Sequence, residues 1–199
     1  MKGIGMKKFA LLFLLFIGIA YGADNSSLKV GETAPSFTLK NYDGKEYSLQ
    51  NLLKENKFVV VMFISTQCPV SNGYNERMVM LDSTYKKKGI KFIGMNANVR
   101  ESVQDIAEHS KQHGFGFPVL KDEGNKIADA YGAQVTPETF VINPQGKLMY
   151  HGRIDDSRNP ERVQSRDLSL ALDALMAGKQ VPRTETKAFG CSIKRMGAD

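Results

Sequence analysis

The chain has 199 residues and a formal net charge of +6, from 27 lysine and arginine residues against 21 acidic residues. This length is sufficient for one domain with a complete hydrophobic core, so the fold does not require disulfides or metal ions for stability. The basic residues form no cluster with interleaved aromatic side chains, so we expect no nucleic-acid partner.

The N-terminal segment has the pattern of an export signal. Three lysines lie among the first eight residues, an apolar run follows from Phe9 to Ala20, and Ala20-Tyr21-Gly22 has small residues at its first and third positions. This pattern predicts a signal peptide at residues 1–22, cleaved before Ala23, and a periplasmic or secreted protein. The alternative is an uncleaved anchor. The apolar run of about 12 residues is shorter than the roughly 20 that a membrane span needs, so we expect no stable membrane insertion after cleavage.

The first part of the mature chain, whose domain we place at residues 23–178, predicts a hairpin, a strand and a helix. Alternating polar and apolar residues on either side of a turn predict the hairpin over residues 36–49. The continuous apolar run at 58–64 predicts a central strand buried on both faces. From Pro69 the apolar spacing changes to three or four, which predicts one helix that ends by Gly89, with Met78 and Met80 in the core.

Strands and helices alternate through the rest of the domain. The remaining predicted elements are strands at 90–95 and 117–120, helices at 103–114 and 125–132, a hairpin over 139–154 and a last helix that ends at Gly178. Alternation of this kind gives parallel strands at the centre of a sheet, and the closing hairpin adds antiparallel edges. The fold class is therefore α/β, a central mixed sheet flanked by helices, with an N-terminal hairpin and a polar C-terminal tail at 179–199.

Cys68 lies where the buried strand passes into the helix, directly before Pro69. Unpaired N–H groups at a helix N-terminus favour the thiolate, which is the reactive form of cysteine. The helix terminus contributes about 0.3–1 kcal/mol, or ~2 kcal/mol in favourable geometry. At ~1.36 kcal/mol per pKa unit, this lowers the pKa of a thiol by roughly one unit. Ser65 and Thr66 are the nearest candidates for further donors. The alternative is a buried, inert cysteine, against which the polar residues before Cys68 argue.

Thr136-Pro137 places a proline directly before a predicted strand. In the cis form this peptide would present the preceding carbonyl and N–H groups to an incoming chain. An ordinary trans proline at the start of a strand has the same sequence pattern, so the residues alone leave both forms open.

Five sequence features together carry a family resemblance. Cys68-Pro69, Thr136-Pro137 and the strand order resemble the thioredoxin superfamily, and the longer stretches 152–158 and 190–194 are similar to a peroxiredoxin-like branch of the alkyl hydroperoxide reductase/thiol-specific antioxidant group. The resemblance implies a thioredoxin-like fold, a redox-active Cys68 and a cis Thr136–Pro137 peptide. We predict that the substrate-positioning residues are Ser65, Thr66, Thr136 and Pro137.

The sequence departs from the family pattern at the site itself. Thioredoxins have a second cysteine three residues after the first, where this chain has Ser71, and typical peroxiredoxins have a proline where it has Val61. The arginine that peroxiredoxins place beside the thiolate is also missing. Arg153 is a possible substitute, although an ion pair of Arg153 with Asp155 or Asp156 is the favoured interpretation.

Cys191, in the tail, is the second of two cysteines in the chain. It is predicted to resolve a sulfenic acid or a mixed disulfide on Cys68. A static Cys68–Cys191 bridge is an alternative, since closing so long a loop would stabilise the fold by roughly 4.7 kcal/mol in the chain-entropy model. An unpaired tail thiol is the third possibility.

These observations predict an exported thiol-based oxidoreductase. Cys68 would attack a peroxide or a disulfide, Cys191 would resolve the product, and an external thiol reductant would restore both. The alternative is a non-enzymatic thioredoxin-fold module that binds a peptide or client protein in the groove beside Pro137. We expect no cofactor, and His109 and His113, although spaced for a metal on one helix face, have no evident third ligand.

Overall fold

The computed structural model describes residues 27–197, so the predicted signal peptide at 1–22 lies outside the described residues. Nine strands run through these residues: β1 Thr38–Lys40, β2 Glu46–Ser48, β3 Phe58–Phe63, β4 Ile90–Asn96, β5 Val119–Lys121, β6 Val135–Thr136, β7 Glu138–Ile142, β8 Leu148–Gly152 and β9 Cys191–Ser192. The helices are α1 Leu49–Glu55, α2 Pro69–Asn72, α3 Asn75–Lys86, α4 Val103–Gln112, α5 Lys126–Tyr131 and α6 Asp167–Met176, with short 3-10 helices at Glu123–Asn125 and Pro160–Arg162. In this part of the chain, no helix is long and apolar enough to cross a membrane.

The central sheet has five strands in the order β5-β4-β3-β7-β8. β3 is parallel to β4, and β4 is parallel to β5, whereas β7 pairs antiparallel with both β3 and β8. This arrangement confirms the predicted mixed sheet, with parallel strands at the centre and a closing antiparallel hairpin. The predicted N-terminal hairpin is also present, as β1 and β2.

The central strand β3 divides two apolar cores. Val59, Val61 and Phe63 face one core, and Val60 and Met62 face the other, with none of the five exposed to solvent. Helices cover both faces of the sheet, so a continuous apolar run fits this strand better than an alternating one. The carboxyl end of β3 therefore leads from a rigid, buried strand into the loop that carries Cys68.

The prediction of one helix from Pro69 to Gly89 is wrong, because the helix is interrupted at Gly73 and Tyr74. Tyr74 turns into the core, where its hydroxyl donates to Asp155 at 2.9 Å. Arg77 holds this junction, since it donates to the Gly73 carbonyl at 3.0 Å and forms an ion pair with Asp155 at 2.5 Å. Met80 is consequently on the outer face and 63% exposed, so its predicted place in the core is also wrong, whereas Met78 is buried.

We expect Arg77→Met to lower the free energy of unfolding by about 3 kcal/mol, because it leaves the Asp155 carboxylate buried without its cationic partner. Chemical denaturation monitored by circular dichroism measures this change. The control is Lys88→Met, which breaks the exposed Lys88–Asp173 pair and should change the free energy by at most about 0.5 kcal/mol. A loss below about 1 kcal/mol in Arg77→Met would contradict this account of the junction.

The C-terminal tail folds back onto the domain, where β9 pairs antiparallel with β6. Ile193 enters the core beside β9 and is 5% exposed, and its N–H donates to the Gln134 carbonyl at 2.9 Å. Gly190 lies so close to Thr136 that a Cβ at position 190 would be 1.9 Å from the Thr136 carbonyl oxygen. The close approach of the two strands therefore requires glycine at that position.

Candidate active site

Cys68 is the N-cap of the short helix α2 and is 4% exposed. Its sulfur accepts a hydrogen bond from the Ser71 N–H at 3.3 Å, and its thiol donates to the Thr136 carbonyl at 3.3 Å. The position is the one that the sequence indicated, at the junction of a buried strand and a helix. The Thr136–Pro137 peptide bond is cis, which confirms what the resemblance implied.

Cys191 lies across from Thr136 in the pairing of β9 with β6, so the tail brings the second cysteine to the first. Both cysteines are free thiols in the structure. Burial raises the pKa of Cys68, but hydrogen bonds from the Cys191 thiol and the Ser71 N–H outweigh it, and the pKa lies below its ordinary value of 9.0. Burial and the hydrogen bond with Cys68 raise the pKa of Cys191. The two thiols therefore differ in acidity, and Cys68 is the more readily ionised.

The two cysteines line one cavity of about 230 Å³. Its walls come from the Cys68 loop, the segment after β4 and the tail: Ser65, Gln67, Cys68, Asn98, Arg100, Glu101, Cys191, Ser192 and Lys194. Three regions that are distant in sequence therefore meet at the sulfur atoms. A small molecule in this cavity would contact both thiols.

Glu101 was not predicted from the sequence, yet it is 2% exposed and organises the loop before Cys68. Its carboxylate accepts from the Ser65 hydroxyl at 2.5 Å and from the Thr66 N–H and hydroxyl at 2.7 and 2.9 Å. The Asn96 and Asn98 side-chain amides also donate to it, at 2.5 and 2.7 Å. Burial raises the pKa of Glu101, but these donors outweigh it and the pKa lies below its ordinary value of 4.5, so the group is ionised at neutral pH.

The Glu101 contacts reach Cys68 through Ser65. The Ser65 hydroxyl oxygen accepts from the Cys68 N–H at 3.0 Å and from the Gln67 N–H at 3.2 Å. Lys121 supports the other side of the network, because its ammonium group donates to the Asn98 and Glu101 carbonyls at 2.5 and 2.7 Å. Glu101 is therefore a positioning residue. One sequence signal that could have revealed it is a polar segment directly after a buried strand parallel to the one that leads to Cys68.

The predicted hydroxyl donors do not reach the thiol. The hydroxyl groups of Ser65 and Thr66 both donate to Glu101, so the expectation that they donate to the Cys68 sulfur is wrong. The sulfur accepts from the Ser71 N–H instead, at 3.3 Å. The physical reason is that a buried carboxylate accepts hydroxyl hydrogen bonds more strongly than a thiol does.

Arg153 is not beside Cys68, and it does not pair with Asp155 or Asp156. Its guanidinium forms an ion pair with Asp167, with 2.7 Å between Nε and Oδ2. Asp155 instead pairs with Arg77. Within residues 27–197, no group of three or more histidine, cysteine or acidic side chains is placed to hold a metal ion.

We expect Glu101→Gln to raise the pKa of Cys68 and to slow its alkylation at neutral pH by about tenfold, roughly one pKa unit. The amide cannot accept all the donors around it, so the loop that places the Ser71 N–H at the sulfur loosens. The rate of iodoacetamide labelling against pH measures the shift. The matched control is Glu108→Gln, an exposed acid on α4, which should leave the profile unchanged.

Glu101→Gln should also change how the free energy of unfolding depends on pH. Because folding lowers the pKa of Glu101, its ionised form stabilises the fold above its ordinary pKa of 4.5. This stabilisation is lost as the pH falls through the lower folded value, and Glu101→Gln should lack that part of the acid dependence. A labelling profile identical to that of the unmodified protein would contradict the positioning role.

Comparisons with known proteins agree with this geometry. Residues 30–151 match the AhpC/TSA family. The chain belongs to this family. It is also 31% identical over 149 residues to the thiol-disulfide oxidoreductase ResA of Halalkalibacterium halodurans, covering 71% of this chain and 82% of that relative. The family membership predicted from the sequence is therefore confirmed, and these AhpC/TSA relatives support the predicted thiol-dependent oxidoreductase activity.

Solved structures confirm the thioredoxin-like fold. A hypothetical protein of Sinorhizobium meliloti superimposes with a TM-score of 0.80 at 32% identity, covering 87% of this chain and 98% of that one. A putative thiol:disulfide interchange protein DsbE of Chlorobium tepidum gives a TM-score of 0.64 at 22% identity, covering 75% and 99%. The similarity to the DsbE structure concerns the fold alone. It agrees with the predicted thioredoxin-like fold, in which helices flank a central mixed sheet.

Proposed function

We propose that this protein is a thiol-dependent oxidoreductase that reduces disulfides, with Cys68 as the nucleophile and Cys191 as the resolving cysteine. The observation that carries the proposal is that both sulfurs line one cavity, because β9 pairs with β6 beside Cys68. The place of Cys68 at the N-cap of α2 and the lowered pKa of its thiol support Cys68 as the residue that attacks first.

The reaction has two exchange steps. The Cys68 thiolate attacks one sulfur of the substrate disulfide, the S–S bond breaks, and the other half leaves as a thiolate that takes up a proton. Cys191 then loses its proton and attacks the Cys68 sulfur, which releases the second half as a thiol and forms a Cys68–Cys191 disulfide. The substrate gains two electrons and the protein loses two. An external thiol reductant restores both cysteines by the same exchange.

Disulfides suit the site better than peroxides do. The relative that is 31% identical over 149 residues is named a thiol-disulfide oxidoreductase, which supports disulfide exchange. Val61 replaces the proline of the peroxiredoxin pattern, and Arg153, the candidate for the missing arginine, is paired with Asp167. Peroxide reduction would need a group that stabilises the leaving oxygen. Arg100 lines the cavity, but it makes no hydrogen bond to the Cys68 sulfur, whose described partners are the Ser71 N–H and the Thr136 carbonyl.

The four predicted positioning residues have two roles in this proposal. Ser65 and Thr66 connect Glu101 to the Cys68 loop, whereas Thr136 pairs with Cys191 and is joined to Pro137 by the cis peptide bond. A binding module that holds a client beside Pro137 is less well supported, because β9 already occupies that edge.

The proposal includes export to the periplasm or the exterior. The support is the sequence pattern of residues 1–22, a basic start followed by an apolar run and small residues before Ala23. Such compartments permit disulfides, and a thiol pair that cycles between reduced and oxidised forms would find oxidised substrates there.

The experiment is a stoichiometric oxidation of the reduced protein with bis(2-hydroxyethyl) disulfide. We expect one equivalent of disulfide to be reduced per chain, with loss of both protein thiols and their recovery on addition of dithiothreitol. Thiol counts with a chromogenic reagent measure both stages. Free mercaptoethanol, mixed with the same disulfide, sets the background rate. If the protein keeps both of its thiols over the time in which mercaptoethanol has reacted, the proposal is overturned.

A further inference from the structure

The strand edge beside Cys68 is occupied by the chain's own tail. Val135 pairs with Ser192 and Thr136 pairs with Cys191, and the Ile193 N–H donates to the Gln134 carbonyl at 2.9 Å. An extended polypeptide that added a strand here would have to displace β9. The edge next to the nucleophile is therefore closed to a protein substrate.

The residues after β9 fix the tail in place. The Lys194 N–H donates to the Asn98 side-chain oxygen at 2.7 Å, and the Val99 N–H donates to the Lys194 carbonyl at 3.1 Å. Arg195 then pairs with Asp129 at 2.8 Å and donates to the Ala133 carbonyl at 2.7 Å. These contacts join the tail to two separate segments, the one after β4 and the one at the end of α5, so it is an integral part of the active-site wall.

The space that remains at the sulfurs suits a small molecule. The cavity of about 230 Å³ is smaller than the roughly 300–1,000 Å³ of pockets that hold drug-sized ligands. A disulfide within a folded protein would have to bring its backbone past the tail to reach Cys68, which is 4% exposed. A low-molecular-weight disulfide with short arms fits a cavity of this size, which both cysteines line.

Two cations line this cavity without carboxylate partners. Arg100 and Lys194 are both exposed, and neither takes part in an ion pair among the residues that the structure describes. The one acid in the lining, Glu101, is buried, and both of its oxygens accept hydrogen bonds from the Cys68 loop and from Asn96 and Asn98. The charge that the cavity presents to an entering molecule is therefore positive.

We infer that the oxidised substrate is a low-molecular-weight anionic disulfide, whose carboxylate groups contact Arg100 and Lys194 while its sulfurs lie in the cavity that Cys68 and Cys191 line. This inference rests on the proposed function and names the substrate class of the same site. The exchange steps are those given above, with one short-armed carboxylate thiol released in each. Disulfides within folded proteins are excluded by the tail.

The test compares three disulfides of similar size and different charge: 3,3′-dithiodipropionate, which is anionic, bis(2-hydroxyethyl) disulfide, which is neutral, and cystamine, which is cationic. Each rate with the reduced protein is divided by the rate of free mercaptoethanol with the same disulfide. We expect the anionic compound to react about tenfold faster than the cationic one, in the range that focused surface charge gives to association rates. Insulin, a protein disulfide, should react at the background rate.

Charge variants test whether Arg100 and Lys194 cause the preference for the anionic disulfide. In the double variant Arg100→Gln, Lys194→Gln, the ratio of the anionic to the cationic rate should fall to about two, because the charges that select the anion are removed. The control double variant Lys111→Gln, Lys179→Gln removes two exposed charges outside the cavity and should keep the original ratio.

Three results would overturn the inference: equal relative rates in the unmodified protein, an unchanged ratio in the Arg100, Lys194 double variant, or rapid reduction of insulin. Failure of the proposed function is a different result, in which the neutral disulfide also leaves both protein thiols unreacted.

Discussion

Cys68→Ser should reduce the rate of disulfide reduction to the background rate, a loss of at least about a hundredfold, because a serine hydroxyl is not ionised near neutral pH and forms no bond to sulfur. Cys191 is not expected to replace Cys68, because burial, which this variant leaves in place, raises the pKa of Cys191. Stopped-flow measurement of thiol release from a small disulfide checks this result.

The fold should survive this change. Serine is a favourable N-cap residue, so its hydroxyl can accept the Ser71 N–H that the sulfur now accepts. Thermal unfolding therefore serves as the control, and its midpoint should stay close to that of the unmodified protein. In the unmodified protein the rate should reach half its maximum below pH 9.0, because the lowered pKa of Cys68 moves the thiolate to lower pH. Residual activity near the original rate in Cys68→Ser would place the nucleophile elsewhere.

Cys191→Ser should leave the first exchange intact and block the second. The chain has only two cysteines, so the variant has no other thiol to attack the mixed disulfide on Cys68. We expect one substrate half to remain attached per chain, with release slowed by at least about a hundredfold relative to the unmodified protein. Intact-protein mass spectrometry at successive times after mixing measures both the adduct and its lifetime.

The control for Cys191→Ser is Lys187→Ser, which changes an exposed side chain of the same tail and should release the product as the unmodified protein does. Rapid loss of the adduct from Cys191→Ser, without added reductant, would show that Cys191 is not the resolving cysteine. The result would then favour a structural or unpaired role for this residue, the two alternatives that the sequence left open.

The architecture of the sheet was predictable because burial leaves a direct mark on the sequence. The apolar run of β3 and the alternation of strands with helices determine a parallel centre, and α3 and α6 end before Gly89 and Gly178, as expected. The position of Cys68 follows from the same pattern, since it marks the change from strand to helix. These features depend on residues close together in the chain.

The missed features depend on contacts between distant residues. β9 has only two residues and pairs with a strand more than fifty positions earlier, so its pattern is too short to show a strand. Glu101 has the sequence context of an ordinary loop acid, and only the fold brings it to Ser65 and Thr66. The break between α2 and α3 accompanies contacts of Tyr74 and Arg77 with the distant Asp155, which apolar periodicity does not include.

The central claim is that the tail brings Cys191 to Cys68 as a redox partner, and peptide mapping by mass spectrometry after oxidation with one equivalent of small disulfide tests it most directly. The account predicts a peptide pair joined by a Cys68–Cys191 bond within a single chain, present in most molecules and absent after reduction. Oxidised protein that retains the substrate half on Cys68 while Cys191 stays a free thiol would contradict it.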